Sequence, residues 1–243
     1  MAKYIKTWGL TLIYGLSLVW WLADTSRIKA QLVEWFGIGS PLIERTPLST
    51  LVWQHITLVS IATLAAILVG IGLGLAVRLS RSEELESLVI RFGALGETIP
   101  SAAVIALSVP LLGYGNEPIL LALFLYAILP IVRNTLSGLN SVAPDITEAA
   151  KGMGFTEIQQ VFKVEFPLAF PTLIAGIRTA LVINISAATL GATVGAGGLG
   201  VPIIAGIRTS DPVLVLIGSV PVILMALVAD RVLRSITPQR SIP

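Results

Sequence analysis

The sequence predicts an all-α integral membrane protein with about six transmembrane helices, and three observations carry that expectation. Of its 243 residues, 55% are hydrophobic and 12% charged, whereas a soluble domain carries about 25% charged residues. Six apolar stretches, about 8–23, 51–77, 88–110, 117–137, 172–194 and 212–232, approach or exceed the roughly 20 residues that a bilayer-crossing helix needs. With both termini placed in the cytoplasm, the inside segments collect Lys3, Lys6, Arg78, Arg81, Arg91, Arg133, Lys151, Lys163, Arg178, Arg231, Arg234 and Arg240. Only Arg27, Lys29, Arg45 and Arg208 fall outside. That asymmetry follows the positive-inside rule.

Composition also excludes several functions. There is no cysteine and one histidine, His55, so neither disulfides nor a side-chain metal cluster can be assembled, and no cofactor is expected. The formal charge of +2 is dispersed along the chain, which argues against nucleic acid as a partner.

The first span follows Lys3 and Lys6. Asp24 and the lack of a small-x-small cleavage site make it a membrane anchor in preference to a cleaved signal peptide. Residues 24–50 mix Trp35 and Phe36 with Glu34, Glu44, Gly37, Gly39, Pro41 and Pro47, as an external loop with one interfacial helix does. Trp8, Trp20, Trp21 and Trp53 lie near span ends, where aromatic belts form.

The second span carries Gly70-x-x-x-Gly74, a spacing that lets helix backbones approach, within one subunit or between two. The third holds Glu97-Thr98-Ile99-Pro100-Ser101, a carboxylate beside a proline kink. A charge is costly in hydrocarbon, so Glu97 is a candidate for the translocation path. The fourth span ends in Arg133 and Asn134. The fifth holds Arg178 and Asn184, with Asn184 readable as path or as interhelical glue, and the sixth ends near Asp230. Arg133, Arg178 and Asp230 sit where snorkelling or pairing explains them.

Between the fourth and fifth spans lies the polar stretch 138–171. Asp145-Ile146-Thr147-Glu148 has the form of a capping box that starts a short helix. Gly154 is placed for a left-handed turn at its end, and Thr156-Glu157-Ile158-Gln159 repeats the capping pattern for a second short helix. Pro167 and Pro171 punctuate the exit. Two short helices joined by a glycine turn make a knob that fits a cleft in a partner.

Gly195-Ala196-Gly197-Gly198-Leu199-Gly200 matches the dinucleotide fingerprint letter for letter but follows a membrane span and lacks the strand and the acidic residue that the mechanism requires. No P-loop and no nucleophile–base–orienter set is present. The chain therefore reads as a non-catalytic subunit.

Glu148-Ala149-Ala150, Gly154 and Val164-Glu165-Phe166-Pro167 together resemble the "EAA" loop of ABC importer permeases. Glu97-Thr98-Ile99-Pro100-Ser101, the run 123–135, Ala175-Gly176-Ile177-Arg178-Thr179-Ala180 and Val194–Gly200 extend the likeness to the osmoprotectant branch, which carries glycine betaine, carnitine and choline. The resemblance covers about residues 50–232 and implies a division into 1–49, an N-terminal helix and external loop, and 50–243, a five-helix permease core. It assigns Glu148, Ala149, Ala150, Gly154 and Pro167 to ATPase coupling, with coupling helices at about 145–165. The implied partners are a cytoplasmic ABC ATPase dimer, a second permease identical or paralogous to this one, and an external or periplasmic substrate-binding protein. The implied location is the inner membrane of a prokaryote. Two alternatives stand beside it: a methionine-type amino-acid importer, which shares the loop, and an ion-coupled secondary transporter using Glu97 and Asp230, which inverted repeats would support and this sequence lacks.

Overall fold

A computed structural model describes residues 2–37 and 46–236, the side chains of residues 2–7, 93 and 95–97 excepted. The loop residues Gly39, Pro41, Glu44 and Arg45, and Arg240, lie outside the described residues, as do the side chains of Lys3, Lys6 and Glu97. Every regular element among the described residues is helical. Helix α1 spans Ala2–Ala23, α2 Thr25–Phe36, α3 Leu48–Ser80, α4 Glu83–Thr98, α5 Ser101–Leu112 and α6 Asn116–Asn140. Then come α7 at Pro144–Gly152, α8 at Glu157–Gln160, α9 at Phe166–Ala187, α10 at Gly200–Thr209 and α11 at Pro212–Ile236.

Four helical stretches are long and apolar enough to cross a membrane: Leu48–Ser80, Asn116–Asn140, Glu157–Val194 and Pro212–Ile236. Trp8–Ala23 and Ser101–Leu112 are shorter apolar helices. The third expected span, 88–110, is not one helix. Pro100 has no N–H and crowds the preceding turn, so Ile99 is driven to extended backbone at φ −83°, ψ 123°. The carbonyl of Pro100 then starts α5 by accepting from the N–H groups of Ala103 (2.8 Å) and Val104 (3.1 Å).

The core is built on α6, the most enclosed of the four long helices. It packs against α3 on one side and α9 on the other. Close approach to α3 is what the glycine pair provides: a Cβ at Gly74 would stand 2.5 Å from Thr135 Cγ2, and one at Gly70 would stand 2.8 Å from Ile131 Cγ2. The Gly70/Gly74 spacing thus serves packing inside the subunit.

Polar seams reinforce α3 against α9. The buried amide of Asn184 donates to Thr63 Oγ1 at 2.9 Å, and His55 Nε2 pairs with the carbonyl of Ile185 at 2.9 Å. In an apolar core such bonds fix register, because a slipped partner would be left without one. Beyond Ala187 the helix tightens to 3₁₀ over Ala188–Val194, and the glycine run follows. Gln54 Oε1 accepts from the N–H of Gly198 at 3.0 Å, which seats the run on α3. The fingerprint-like glycines are a loop between helices.

The N-terminal pair braces the other flank. Asp24 breaks α1 from α2, and Ile28 and Leu32 of α2 bury against Val213 and Ile217 of α11. Helix α1 also packs along α11. The one helix expected in 24–50 is α2, and it lies on the bundle's own last helix. Asp211 caps α11, its Oδ1 accepting from Val213 N at 2.9 Å and Leu214 N at 3.3 Å.

Candidate coupling site

The polar stretch 144–165 stands at one end of the bundle, beyond the C-terminal ends of α3 and α6. Helix α7 starts two residues earlier than a capping box at Asp145 would have it. Ala143 occupies the cap position with no side-chain bond, and Pro144 takes the first helical turn. Proline has no N–H to leave unpaired there and its φ is already helical, so it sets the start. Asp145 remains in the first turn, where its charge suits the positive end of the helix.

Helix α7 ends in a complete Schellman turn. The N–H of Phe155 bonds to Ala150 O at 3.1 Å and that of Gly154 to Lys151 O at 2.9 Å. Gly154 has φ +82°, and a Cβ there would meet nothing within 4 Å. Backbone conformation alone therefore requires glycine at this point. Thr156 and Gln159 form the reciprocal box that starts α8: Thr156 Oγ1 accepts from Gln159 N at 3.3 Å, and Gln159 Oε1 accepts from Thr156 N at 3.0 Å.

The second short helix is not a separate unit. Helix α8 continues through a π-helical turn at Val161–Glu165 directly into α9. The N–H of Phe166 reaches back five residues to Val161 O. Because the ladder changes step there, Pro167 falls in the first turn of the resumed α-helix and its missing N–H breaks nothing. Pro167 is an entry residue of α9, and the expected exit punctuation is absent.

Within the stretch, Ala150 is buried while Glu148, Ala149 and Gly154 are exposed, as is Pro167 just beyond it. Four apolar side chains also stand in the open: Ile146, Met153, Ile158 and Phe162, at 42%, 68%, 62% and 49% exposure. Apolar groups gathered on a polar projection are the mark of a protein–protein contact.

Two ion pairs tie the projection to α3. Arg78 Nη2 donates to Glu165 Oε1 at 2.7 Å, with Glu165 fully buried. Arg81 Nη2 meets Glu157 Oε1 at 2.6 Å. Gln160 Nε2 adds a bond to Glu165 Oε1 at 3.1 Å. The sequence reading treated Arg78 and Arg81 as topology markers and Glu165 as one letter of a motif. The available signal was a carboxylate set between Val164 and Phe166.

The candidate path residues are dispersed. Glu97 belongs to the last turn of α4. Asn134 is half-buried on α6; its Nδ2 donates to Pro130 O at 2.8 Å, and Gly176 of α9 packs against it. Asn184 is fully buried at the α3–α9 seam, where its amide bonds across to Thr63 of α3. Arg178 pairs with Asp230 at 3.2 Å, joining α9 to α11. At the end opposite the projection, a groove of about 470 Å³ is bordered by Trp53, Gln54, Thr57, Asn116 and Gly195–Gly197.

A helical bundle with several stretches long and apolar enough to cross a membrane, carrying a polar projection at one end, has the architecture of a membrane transport subunit. Residues 66–242 match the family described as "Binding-protein-dependent transport system inner membrane component". This chain belongs to that family and is the permease component of an ABC importer. It is 40% identical over 190 residues to the choline transport system permease protein OpuBB of Bacillus subtilis (76% of this chain, 87% of the relative). It is 41% identical over 188 residues to the osmoprotectant import permease protein OsmW of Salmonella typhimurium (75% and 86%). The osmoprotectant import permease protein OsmY of the same organism matches at 33% over 231 residues, 95% of this chain and 92% of the relative. That match takes in most of 1–49, so the N-terminal helices are shared with a relative. A chain of the inward-facing MetNI methionine ABC transporter superposes with a TM-score of 0.69 at 22% identity, covering 82% of this chain and all of that one. At that identity the likeness speaks for the fold.

Proposed function

We propose that this chain is the translocating subunit of an ATP-driven importer for osmoprotectants of the quaternary ammonium class, such as glycine betaine, choline or carnitine. The observation that carries the solute class is that relatives named for choline, for glycine betaine/carnitine/choline and for carnitine match at 39–40% identity over about three quarters of the chain. The named solutes share a compact trimethylammonium group, which is recognised through aromatic faces. Few aromatic residues lie at mid-membrane here, chiefly Phe124 and Tyr126. Tight recognition therefore belongs to a separate binding protein, and this subunit supplies a weak path.

In this reading the projection 144–165 is cytoplasmic and docks on an ABC ATPase dimer through the exposed apolar side chains around Gly154. The permease works as one of two, identical or paralogous, with a binding protein on the outer face. Residues 50–243 form the transporting core and 1–49 brace it. Both termini are cytoplasmic, in the inner membrane of a prokaryote. Closure of the ATPases pulls the projection, and the unbroken α8–α9 helix carries that pull into the membrane. The core then alternates between outward and inward access.

The test is reconstitution of the chain with its ATPase and binding protein in liposomes. ATP-dependent accumulation of betaine or choline, and none of methionine, is the expected result. Accumulation of methionine alone overturns the solute assignment.

A further inference from the structure

We infer that the π turn at 161–165 brings Glu157 and Glu165 onto one face so that both grip α3, and that Glu165 and Arg78 are positioning residues for ATP-driven movement; the second half rests on the permease reading proposed above. Eight residues separate the two carboxylates, and in a regular α-helix eight residues leave side chains about 80° apart around the axis. A wider turn with five-residue hydrogen bonds takes up that excess. Their partners are Arg78, in the last turn of α3, and Arg81, the residue that ends α3 in left-handed backbone at φ +54°. The pairs run in opposite directions, Glu157 with Arg81 and Glu165 with Arg78, as two helix ends passing each other require.

The burial pattern separates the two roles. Arg81 and Glu157 are 56% and 58% exposed, while Glu165 is fully enclosed and Arg78 is 26% exposed. A buried carboxylate is expensive unless matched, yet Glu165 Oε2 has no hydrogen-bond partner among the described residues. Arg78, Gln160 and Glu165 border a polar cavity of about 10 Å³. An apolar residue here would pack at lower cost. What the ion pair adds is direction: a force on α8 moves α3 together with α9, so two of the three helices in the core respond as one body.

Three single variants and one double variant test this. In the full-length chain in detergent, Glu165→Gln should raise amide exchange over 157–165 by about tenfold or more, since the segment's tie to α3 is weakened. In the reconstituted importer the same variant should keep its ATPase and lower solute moved per ATP hydrolysed by about tenfold. Arg81→Glu and Glu157→Arg, on the exposed pair, should each lower that ratio by about threefold, and the double charge swap should restore it to within about twofold. Unchanged exchange in Glu165→Gln overturns the grip. Loss of uptake and ATP turnover in equal proportion in Glu165→Gln overturns the positioning role and leaves a purely structural pair, and failure of the swap to rescue overturns the part given to Glu157 and Arg81 in the grip. Should the wild-type assembly show no ATP-driven uptake while exchange responds as expected, the transport reading fails and the grip on α3 stands.

Discussion

At the scale of single residues, Gly154 separates two causes of intolerance. Its φ of +82° forbids side chains, while the space around it is open. Gly154→Ala and Gly154→Val should therefore both cost on the order of 1–3 kcal/mol locally, with no steric contribution from neighbours. The measurable outcome is weaker co-purification of the ATPase with an unchanged melting temperature of the membrane bundle. A drop in bundle stability would show that the turn is held by packing. Asn184 makes the opposite case, since its amide donates to Thr63 inside the core. Asn184→Leu removes a donor and leaves Thr63 unmatched, and should lower thermal stability by about 1–3 kcal/mol. Equal loss in Thr63→Val, with no further loss in the double variant, would be the signature of a shared bond.

At the scale of elements, the α3–α6 contact depends on absent side chains. Gly74→Leu has no room against Thr135, so it should destabilise the bundle by about 1–3 kcal/mol, read as reduced melting temperature and expression. The same replacement at Gly72, which has nothing within 4 Å, should be tolerated. The helices themselves were legible because long apolar runs report burial directly. Spans at 51–77, 117–137, 172–194 and 212–232 each fall inside an observed helical stretch. What escaped has no local signature. Pro100 reads as a kink in sequence, but whether a proline bends or interrupts a helix depends on what neighbours do for the freed carbonyls. The π turn leaves no periodic mark in five residues. Arg78 and Glu165 are 87 positions apart, and His55 lies 130 from its carbonyl partner, so the pairings appear only once the helices are packed. The coupling stretch was legible for its turn and second box and misread for its first cap, because Pro144 outranks Asp145 as a helix start.

At the scale of the whole molecule, orientation is the property most open to direct measurement. The chain has no cysteine, so single cysteines report without background. One placed at Thr156, exposed on the projection, should resist an impermeant thiol reagent in intact cells and react after permeabilisation. One at Thr209, at the end of α10, should label from outside. Labelling of Thr156 from outside would invert the topology and remove the projection from reach of ATP.

The packing of α1 along α11 places the first and last long elements of the chain side by side. During synthesis at ~5–20 residues per second, the stretch from Ala23 to Pro212 takes on the order of 10–40 s. For that interval α1 resides in lipid without its eventual neighbour, a state it tolerates because Leu12, Ile13, Leu16 and Val19 already face outward. Helix α2 is in a harder position, since Ile28 and Leu32 have only Trp21, Val33 and Leu48 beside them until Val213 and Ile217 arrive. The order of manufacture thus makes the N-terminal pair the last part of the bundle to settle, and a nascent chain halted before residue 212 should hold α1 inserted with α2 open to protease.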